Sequence, residues 1–258
     1  MQVIRLYMHN ALRNFNYLLY CQESRLAIAL DPFDADVLLQ KAGEYQLDIR
    51  LIINTHEHSD HTQGNFALQQ ATGAQVLAHP NALVPAKTAN LKAQDCIALG
   101  SMRLRVLPSP GHTQAHLCLL AQGDEPMLFS GDTLFNASAG NCKNGGNVDD
   151  LFDTFVREIA PLPDSTLLYP GHDYMKNNLV FALDRDPHNV LARYWQEQVA
   201  AIPAEDMPVM TLGQERSYNP FLRLNQAEIY AKLQQEMPDL ACDERAIFKA
   251  LRRLRDHW

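Results

Sequence analysis

The stretch Asn54, Thr55, His56, Glu57, His58, Ser59, Asp60, His61 narrows what this chain can fold into more than any other. Three imidazoles and the Asp60 carboxylate fall within six positions, directly after the apolar run Leu51, Ile52 and Ile53. β-Branched residues favour a strand, so the pattern predicts a strand that ends by presenting four donor groups from one turn. A protease helix of the H-E-x-x-H type needs a histidine four positions after His56, where Asp60 stands, and that reading is excluded. The chain must therefore bring further donors to a loop that follows a strand.

Three later segments have the required form. Leu104–Leu107 reads as a strand that runs through Pro108 and Pro110 to Gly111, His112 and Thr113. Met127–Phe129 leads to Ser130, Gly131, Asp132 and Thr133, and Thr166–Tyr169 leads to Pro170, Gly171, His172 and Asp173. Each strand breaks at glycine and presents a ligand type immediately afterwards, which suits side chains converging at one edge of a sheet. His56, His58, Asp60, His61, His112, Asp132 and His172 make seven candidate ligands, too many for one ion, since zinc takes about four ligands and a catalytic zinc about three plus water. Two divalent metal ions sharing one carboxylate and one hydroxide would use all seven. Imidazole and carboxylate without thiolate suit zinc, iron or manganese, and the residue types do not choose among them; zinc is the metal expected.

At 258 residues and 47% hydrophobic, the chain suffices for one large layered domain, or one plus a smaller appendage. Its formal charge of -8 and the lack of a basic arm argue against nucleic acid as a partner. No apolar run approaches the roughly 18 residues of a membrane span, and the N-terminal residues do not read as a signal peptide. A cytoplasmic protein with no membrane partner is expected. The five cysteines are odd in number and lack C-x-x-C spacing, so free thiols are expected rather than a disulfide framework.

Val3–Met8, Asn16–Cys21 and Leu26–Leu30 read as a strand meander, followed by a turn at Asp31 and Pro32 and a helix over Ala35–Tyr45. A helix over Gly64–Gln70 and a strand over Gln75–Ala78 follow the histidine loop; His79 is read as a turn residue, and Asn81–Lys92 has no assigned role. His116 is expected to brace the turn after His112, and Cys118 to fill core space. The loop Asn136–Asn147 lacks the lysine and hydroxyl residue of a phosphate-binding loop and is expected to wall a substrate pocket. Asp149–Ile159 is amphipathic and should cover the sheet. Of twelve glycines only Gly213 lies beyond residue 176, where helical spacing runs through Tyr174–Leu183, Asn189–Ala201, Gln226–Glu236 and Asp243–Asp256.

Two divalent cations set against Asp60, Asp132 and a hydroxide leave excess positive charge, which favours an anionic substrate. Metal binding lowers the pKa of water from 15.7 to about 7, and an ion can stabilise an oxyanion. A thiol leaving group of pKa about 8.5 departs without a strong acid, which favours thioesters or activated esters. No G-x-S-x-G elbow offers a serine nucleophile.

The pattern T-H-x-H-x-D-H, followed by G-H-T, G-D-T and G-H, resembles the metallo-β-lactamase superfamily. Within it, GDTLF at Gly131–Phe135, PGHDY at Pro170–Tyr174, NNLVFAL at Asn177–Leu183 and YNPFLR at Tyr218–Arg223 resemble glyoxalase II, the hydroxyacylglutathione hydrolases. The resemblance implies an α+β fold: a four-layer αββα sandwich over residues 1–175 and a small helical C-terminal substrate-binding domain over 176–258. It implies that His56, His58 and His112 hold one metal and Asp60, His61 and His172 the other, that Asp132 bridges them, and that Asp31 supports the metals from behind. The implied reaction is hydrolysis of a small-molecule glutathione thioester, S-D-lactoylglutathione, to D-lactate and glutathione by a metal-bridging hydroxide, with Asp60 and Asp132 catalytic.

For glutathione, Tyr174 matches the family's tyrosine, Arg252 and Arg255 its C-terminal basic pair, and Lys143 is placed to reach a carboxylate. Asn141 stands where the family has a basic residue, and Lys143 where it has an aromatic. The competing readings are a dinuclear hydrolase of another thioester or ester, an iron persulfide dioxygenase of similar pattern without the long helical tail, a nuclease disfavoured by charge, and a non-catalytic binding protein disfavoured by the intact ligand set.

Overall fold

The computed structural model describes residues 1–258. Six strands, β1 (Gln2–Tyr7), β2 (Phe15–Tyr20), β3 (Leu26–Leu30), β4 (Asp48–Ile53), β5 (Gln75–Ala78) and β6 (Ala89–Asn90), form one sheet in sequence order. The β1–β2–β3 meander is antiparallel and the pairings from β3 to β6 are parallel. A second sheet contains β7 (Cys96–Leu99), β8 (Met102–Pro108), β9 (Leu117–Ala121) and β10 (Met127–Gly131). After the small hairpin β11 (Leu134–Phe135) and β12 (Ser138–Ala139), it is completed by β13 (Leu167–Pro170) and β14 (Met210–Thr211), in the order β14-β13-β10-β9-β8-β7.

Alternation along the strands explains why the sheets stack. In β2, Phe15, Tyr17 and Leu19 point between the sheets, while Leu18 and Tyr20 point outward; in β9, Leu117 and Leu119 point in, while Cys118 and Leu120 point out. Both faces of these strands are thus apolar and both must be covered. The inner layer closes on Phe129, which stacks on Tyr169 at 4.9 Å and meets Tyr17 edge-on at 5.6 Å. Outside the first sheet lie α1 (Ala35–Glu44) and α3 (Asn65–Thr72), separated in the chain by the single turn α2 (Ser59–Thr62); Leu38 and Leu68 anchor this layer. Asp34 starts α1 by accepting from the amides of Asp36 and Val37.

Outside the second sheet lies α4 (Val148–Thr154), which continues as a π-helical turn over Phe155–Ile159, where the sequence pattern suggests one uniform helix. The layers are therefore αββα. The tail contributes α5 (Met175–Arg185), α6 (Val190–Val199), α7 (Leu212–Tyr218), α8 (Ala227–Glu236) and α9 (Glu244–Arg255). Phe181, Phe221, Phe248 and Leu251 of this tail share one core with Leu120 and Leu128 of the sheet and with Phe155. The tail also supplies β14, which pairs with β13. No helix is long and apolar enough to cross a membrane.

Short pairings escape the sequence pattern. The Asn81–Lys92 segment holds only β6, two residues paired beside β5, and β14 is equally brief. Neither is long enough to show an alternation. Helix α7 is announced instead by its capping box, in which Thr211 and Gln214 satisfy each other's backbone amides.

Candidate metal centre

Strand geometry brings the donors to one place. β10 and β13 are parallel neighbours with Gly131 opposite Pro170, so Asp132 and His172 leave the sheet side by side. The loops then tie to one another, the Gly171 amide donating to the Gly131 carbonyl at 2.8 Å and the Leu117 amide to the Thr55 carbonyl at 2.8 Å. This second bond joins the two sheets beside the histidine turn. All seven predicted donors converge here: His56 with His58 and His112 form one triad, Asp60 with His61 and His172 another, and Asp132 groups with His56 and His61 between them.

In the first triad His56 Nε2 lies 3.0 Å from His58 Nδ1, which lies 3.1 Å from His112 Nε2. In the second, His61 Nε2 lies 3.2 Å from His172 Nε2 and 3.3 Å from Asp60 Oδ2. Asp132 belongs to both neighbourhoods: its Oδ2 is 3.4 Å from His112 Nε2 and 3.2 Å from His172 Nε2, and its Oδ1 is 3.4 Å from His61 Nε2. Two ligands on a tetrahedral zinc at 2.0–2.1 Å stand about 3.3 Å apart, which these separations match.

Hydrogen bonding also points to cations. The nitrogen of each imidazole that faces outward meets an oxygen: His56 Nδ1 the Thr55 hydroxyl at 3.0 Å, His58 Nε2 the Asn144 carbonyl at 3.2 Å, His112 Nδ1 the Asn141 carbonyl at 2.6 Å, His61 Nδ1 the Asp31 carboxylate at 3.0 Å, and His172 Nδ1 the Leu12 carbonyl at 2.7 Å. The Thr55 hydroxyl itself donates to Asp31 at 2.7 Å and so accepts from His56. In their neutral form, with the proton directed outward, the rings present lone pairs to one another, and Asp132 Oδ1 is buried with no hydrogen-bond donor. Lone pairs gathered around an unpartnered carboxylate oxygen fit divalent cations.

Electrostatics agree. Burial, aided by the nearby His61 charge, holds His56 well below its usual pKa, and burial likewise lowers His112, keeping both neutral and able to ligate. Burial opposes ionisation of Asp132, but its interactions with the surrounding His172, His61 and His112 rings outweigh it and hold the carboxyl well below the usual range. Burial would also lower His61, yet the Asp132 and Asp31 carboxylates raise it well above normal. A field that favours a proton there also favours a cation.

The supports are partly unforeseen. Asp31 accepts from the Thr55 amide, from the Thr55 hydroxyl and from His61 Nδ1. Asn14, which nothing in the sequence marks, donates to Asp60 Oδ2 at 3.0 Å. His116 binds the Asp132 amide at 3.1 Å through Nε2 and stacks on His56 at 5.0 Å, bracing the turn without joining either triad. His79 stays at its turn, where its ring accepts from the Asn81 amide.

Gly171 permits this crowding, because a Cβ there would stand 2.4 Å from Asp132 Oδ1 and 2.9 Å from His61 Cε1. Gly171→Ala is expected to weaken metal binding about 10- to 100-fold, the scale on which disturbed ligand orientation acts. Chelator competition measures this, and unchanged affinity would mean that Asp132 can swing aside freely.

Beside the triads lies a cavity of about 200 Å³ whose walls include Asn141, Lys143, Asn178, Arg252, Arg255 and Trp258. Tyr174 stacks face to face on His172 at 4.9 Å, and burial, with Asp132 and Asp60 nearby, keeps its phenol protonated. Lys143 Nζ donates to the Asp256 carbonyl at 2.7 Å. Arg255 donates to Asn178 Oδ1 at 2.9 Å, whereas Arg252 is 5% exposed and turns its guanidinium onto backbone carbonyls and Asp256.

An αββα sandwich with adjoining His/Asp triads that could hold metal at its sheet edge fits the class of metal-dependent hydrolases, and comparison with known proteins identifies the family. The metallo-beta-lactamase superfamily model matches residues 21–172, and the model described as hydroxyacylglutathione hydrolase C-terminus matches residues 173–258. The chain is 45% identical to a hydroxyacylglutathione hydrolase of Polaromonas sp. and 43% identical to one of Nitrosococcus oceani, with full coverage of both sequences in each case. Among solved structures, ETHE1 from Myxococcus xanthus superposes with a TM-score of 0.70 at 25% identity, covering 99% of this chain and 98% of that one. BLEG-1, a B3 metallo-beta-lactamase, shares the fold with a TM-score of 0.64 at 24% identity, covering 86% of this chain and all of that one. This chain belongs to the metallo-β-lactamase superfamily and, within it, to the hydroxyacylglutathione hydrolases.

Proposed function

We infer that the protein hydrolyses S-D-lactoylglutathione to D-lactate and glutathione, with zinc as the metal at both triads. The observation that carries this reading is the cavity lined by Lys143 and Arg255, two of whose wall residues touch the triads, Phe135 packing on His172 at 5.8 Å and the Asn141 carbonyl accepting from His112; a peptide carrying carboxylates can be held there while its thioester reaches the metals. His56, His58 and His112 would hold one ion, Asp60, His61 and His172 the other, with Asp132 shared. Bound there, such ions supply hydroxide at neutral pH and polarise the carbonyl under attack.

The chain's own residues do the rest. Asp31, Thr55 and the loop carbonyls fix the imidazole tautomers, Tyr174 walls the reacting end, and Lys143 and Arg255 offer charge to the glutathione carboxylates. The part beyond residue 175 acts in this reading as the substrate-binding unit. The departure at Asn141 and Lys143 moves the loop's positive charge by two positions without removing it. Five free cysteines agree with a reducing compartment such as the cytoplasm.

The test is thioester loss measured for S-D-lactoylglutathione beside a thioester that lacks glutathione. Preference for the glutathione compound, abolished by a chelator and restored by zinc, is expected. Equal or opposite preference would discard glutathione as the recognised thiol, and turnover unaffected by exhaustive chelation would discard the metals.

A further inference from the structure

We propose that Arg252 is a positioning residue for the three-histidine site, aiming His58 and His112 at their ion by fixing the loop that receives their outer protons. The inference rests on the reading that the triads hold metal. The two triads are supported differently. Asp60, His61 and His172 are held by Asn14, Asp31 and the Leu12 carbonyl. His112 and His58 depend instead on the Asn141 and Asn144 carbonyls, which belong to a single irregular loop between β12 and α4.

The last turn of α9 grips that loop on both sides of Asn141. Arg252 Nη1 donates to the Ala139 carbonyl at 2.5 Å and to the Gly140 carbonyl at 3.2 Å. Its Nε and Nη2 meet Asp256 Oδ1 at 3.2 and 3.1 Å, and the Asp256 carbonyl in turn receives Lys143 Nζ at 2.7 Å. The guanidinium also lies over Phe221 at 5.5 Å and is almost wholly buried. A residue serving only as helix-end charge would point to solvent, as the exposed Arg253 does. A residue serving only to bind a substrate carboxylate would keep its paired donors free, whereas those of Arg252 are engaged by loop and helix. Arg255, with a single side-chain acceptor in Asn178, is better placed for substrate.

The experiment compares the full-length wild type with Arg252→Ala, Arg252→Lys and Arg255→Ala, each loaded with zinc and titrated by chelator competition. Arg252→Ala is expected to weaken one of the two bound ions about 10- to 100-fold, the range for loss of an outer partner of a ligand, and to leave the other ion unchanged. Anomalous diffraction from zinc-loaded crystals of the variant should show the lost occupancy at His56, His58 and His112. Its kcat should fall, whereas Arg255→Ala should keep both ions and raise KM. Arg252→Lys keeps the charge but cannot span both carbonyls and Asp256, and should lie between; if the alanine variant does not fold, this variant carries the comparison.

Two ions held at wild-type affinity in Arg252→Ala, with only KM raised, would overturn the inference and make Arg252 a substrate contact. Equal loss from both sites in a folded variant would overturn it too. A wild type that bound no ion would instead remove the metal reading itself.

Discussion

Asp132→Ala is expected to lose metal and activity together, with kcat falling by about 10³-fold or more, the scale on which removal of a preorganised charge acts at a reacting centre. Asp132 is the only carboxylate within 3.5 Å of donor nitrogens from both triads. It is held ionised by the histidines around it despite its burial. Without it, His112 on one side and His61 and His172 on the other face each other across a buried space, with less negative charge to balance two cations. Asp132→Asn keeps the volume and removes only the charge, so it separates loss of shape from loss of charge. Metal analysis after dialysis and turnover of S-D-lactoylglutathione read both variants. Full turnover by Asp132→Ala would sink the shared-ligand assignment, whatever its metal content.

The donors were legible because local chemistry marks each of them. Every one follows a short apolar strand that stops at a polar turn or glycine, and parallel pairing of β10 with β13 then carries Asp132 to His172. The supports were legible only where a side chain performs them, as Asp31 does. The acceptors for His58, His112 and His172 are backbone carbonyls of Asn144, Asn141 and Leu12, and a carbonyl leaves no trace in residue type. Asn14 reaches Asp60 across 46 positions from an isolated bridge opposite His172, a pairing of single residues that leaves no pattern in the sequence. The helical tail was legible through its period, but its sharing of one core with β9 and β10 depends on which faces meet in space. Arg252 shows the same limit, since spacing places it at the end of a helix and only the fold shows that its partners are loop carbonyls.

Support for the two triads thus comes from two directions. The tail and its loop hold one triad, and the sandwich holds the other. Asp31 is where the triads meet a common partner, touching His61 directly and His56 through the Thr55 hydroxyl. Substitution there should therefore differ in kind from substitution of Arg252.

Asp31→Asn is expected to weaken both ions, each about 10- to 100-fold, and to cost about 1–3 kcal/mol of stability. Asp31 holds a backbone φ of +52°, a conformation that asparagine also tolerates, so the substitution tests hydrogen bonding rather than backbone fit. Oδ1 accepts from the Thr55 amide at 2.7 Å, and Oδ2 accepts from the Thr55 hydroxyl at 2.7 Å and from His61 Nδ1 at 3.0 Å. An amide group placed with nitrogen at the first position opposes the Thr55 N–H; flipped, it opposes the His61 N–H. Either orientation leaves a buried donor unmatched, and the second removes the bond that fixes the His61 tautomer. Chelator competition on the intact protein and urea unfolding of the metal-stripped protein separate the two effects. Weakening confined to one ion would show that the Thr55 relay to His56 carries no orientation, and unchanged affinity at both would reduce Asp31 to a turn residue.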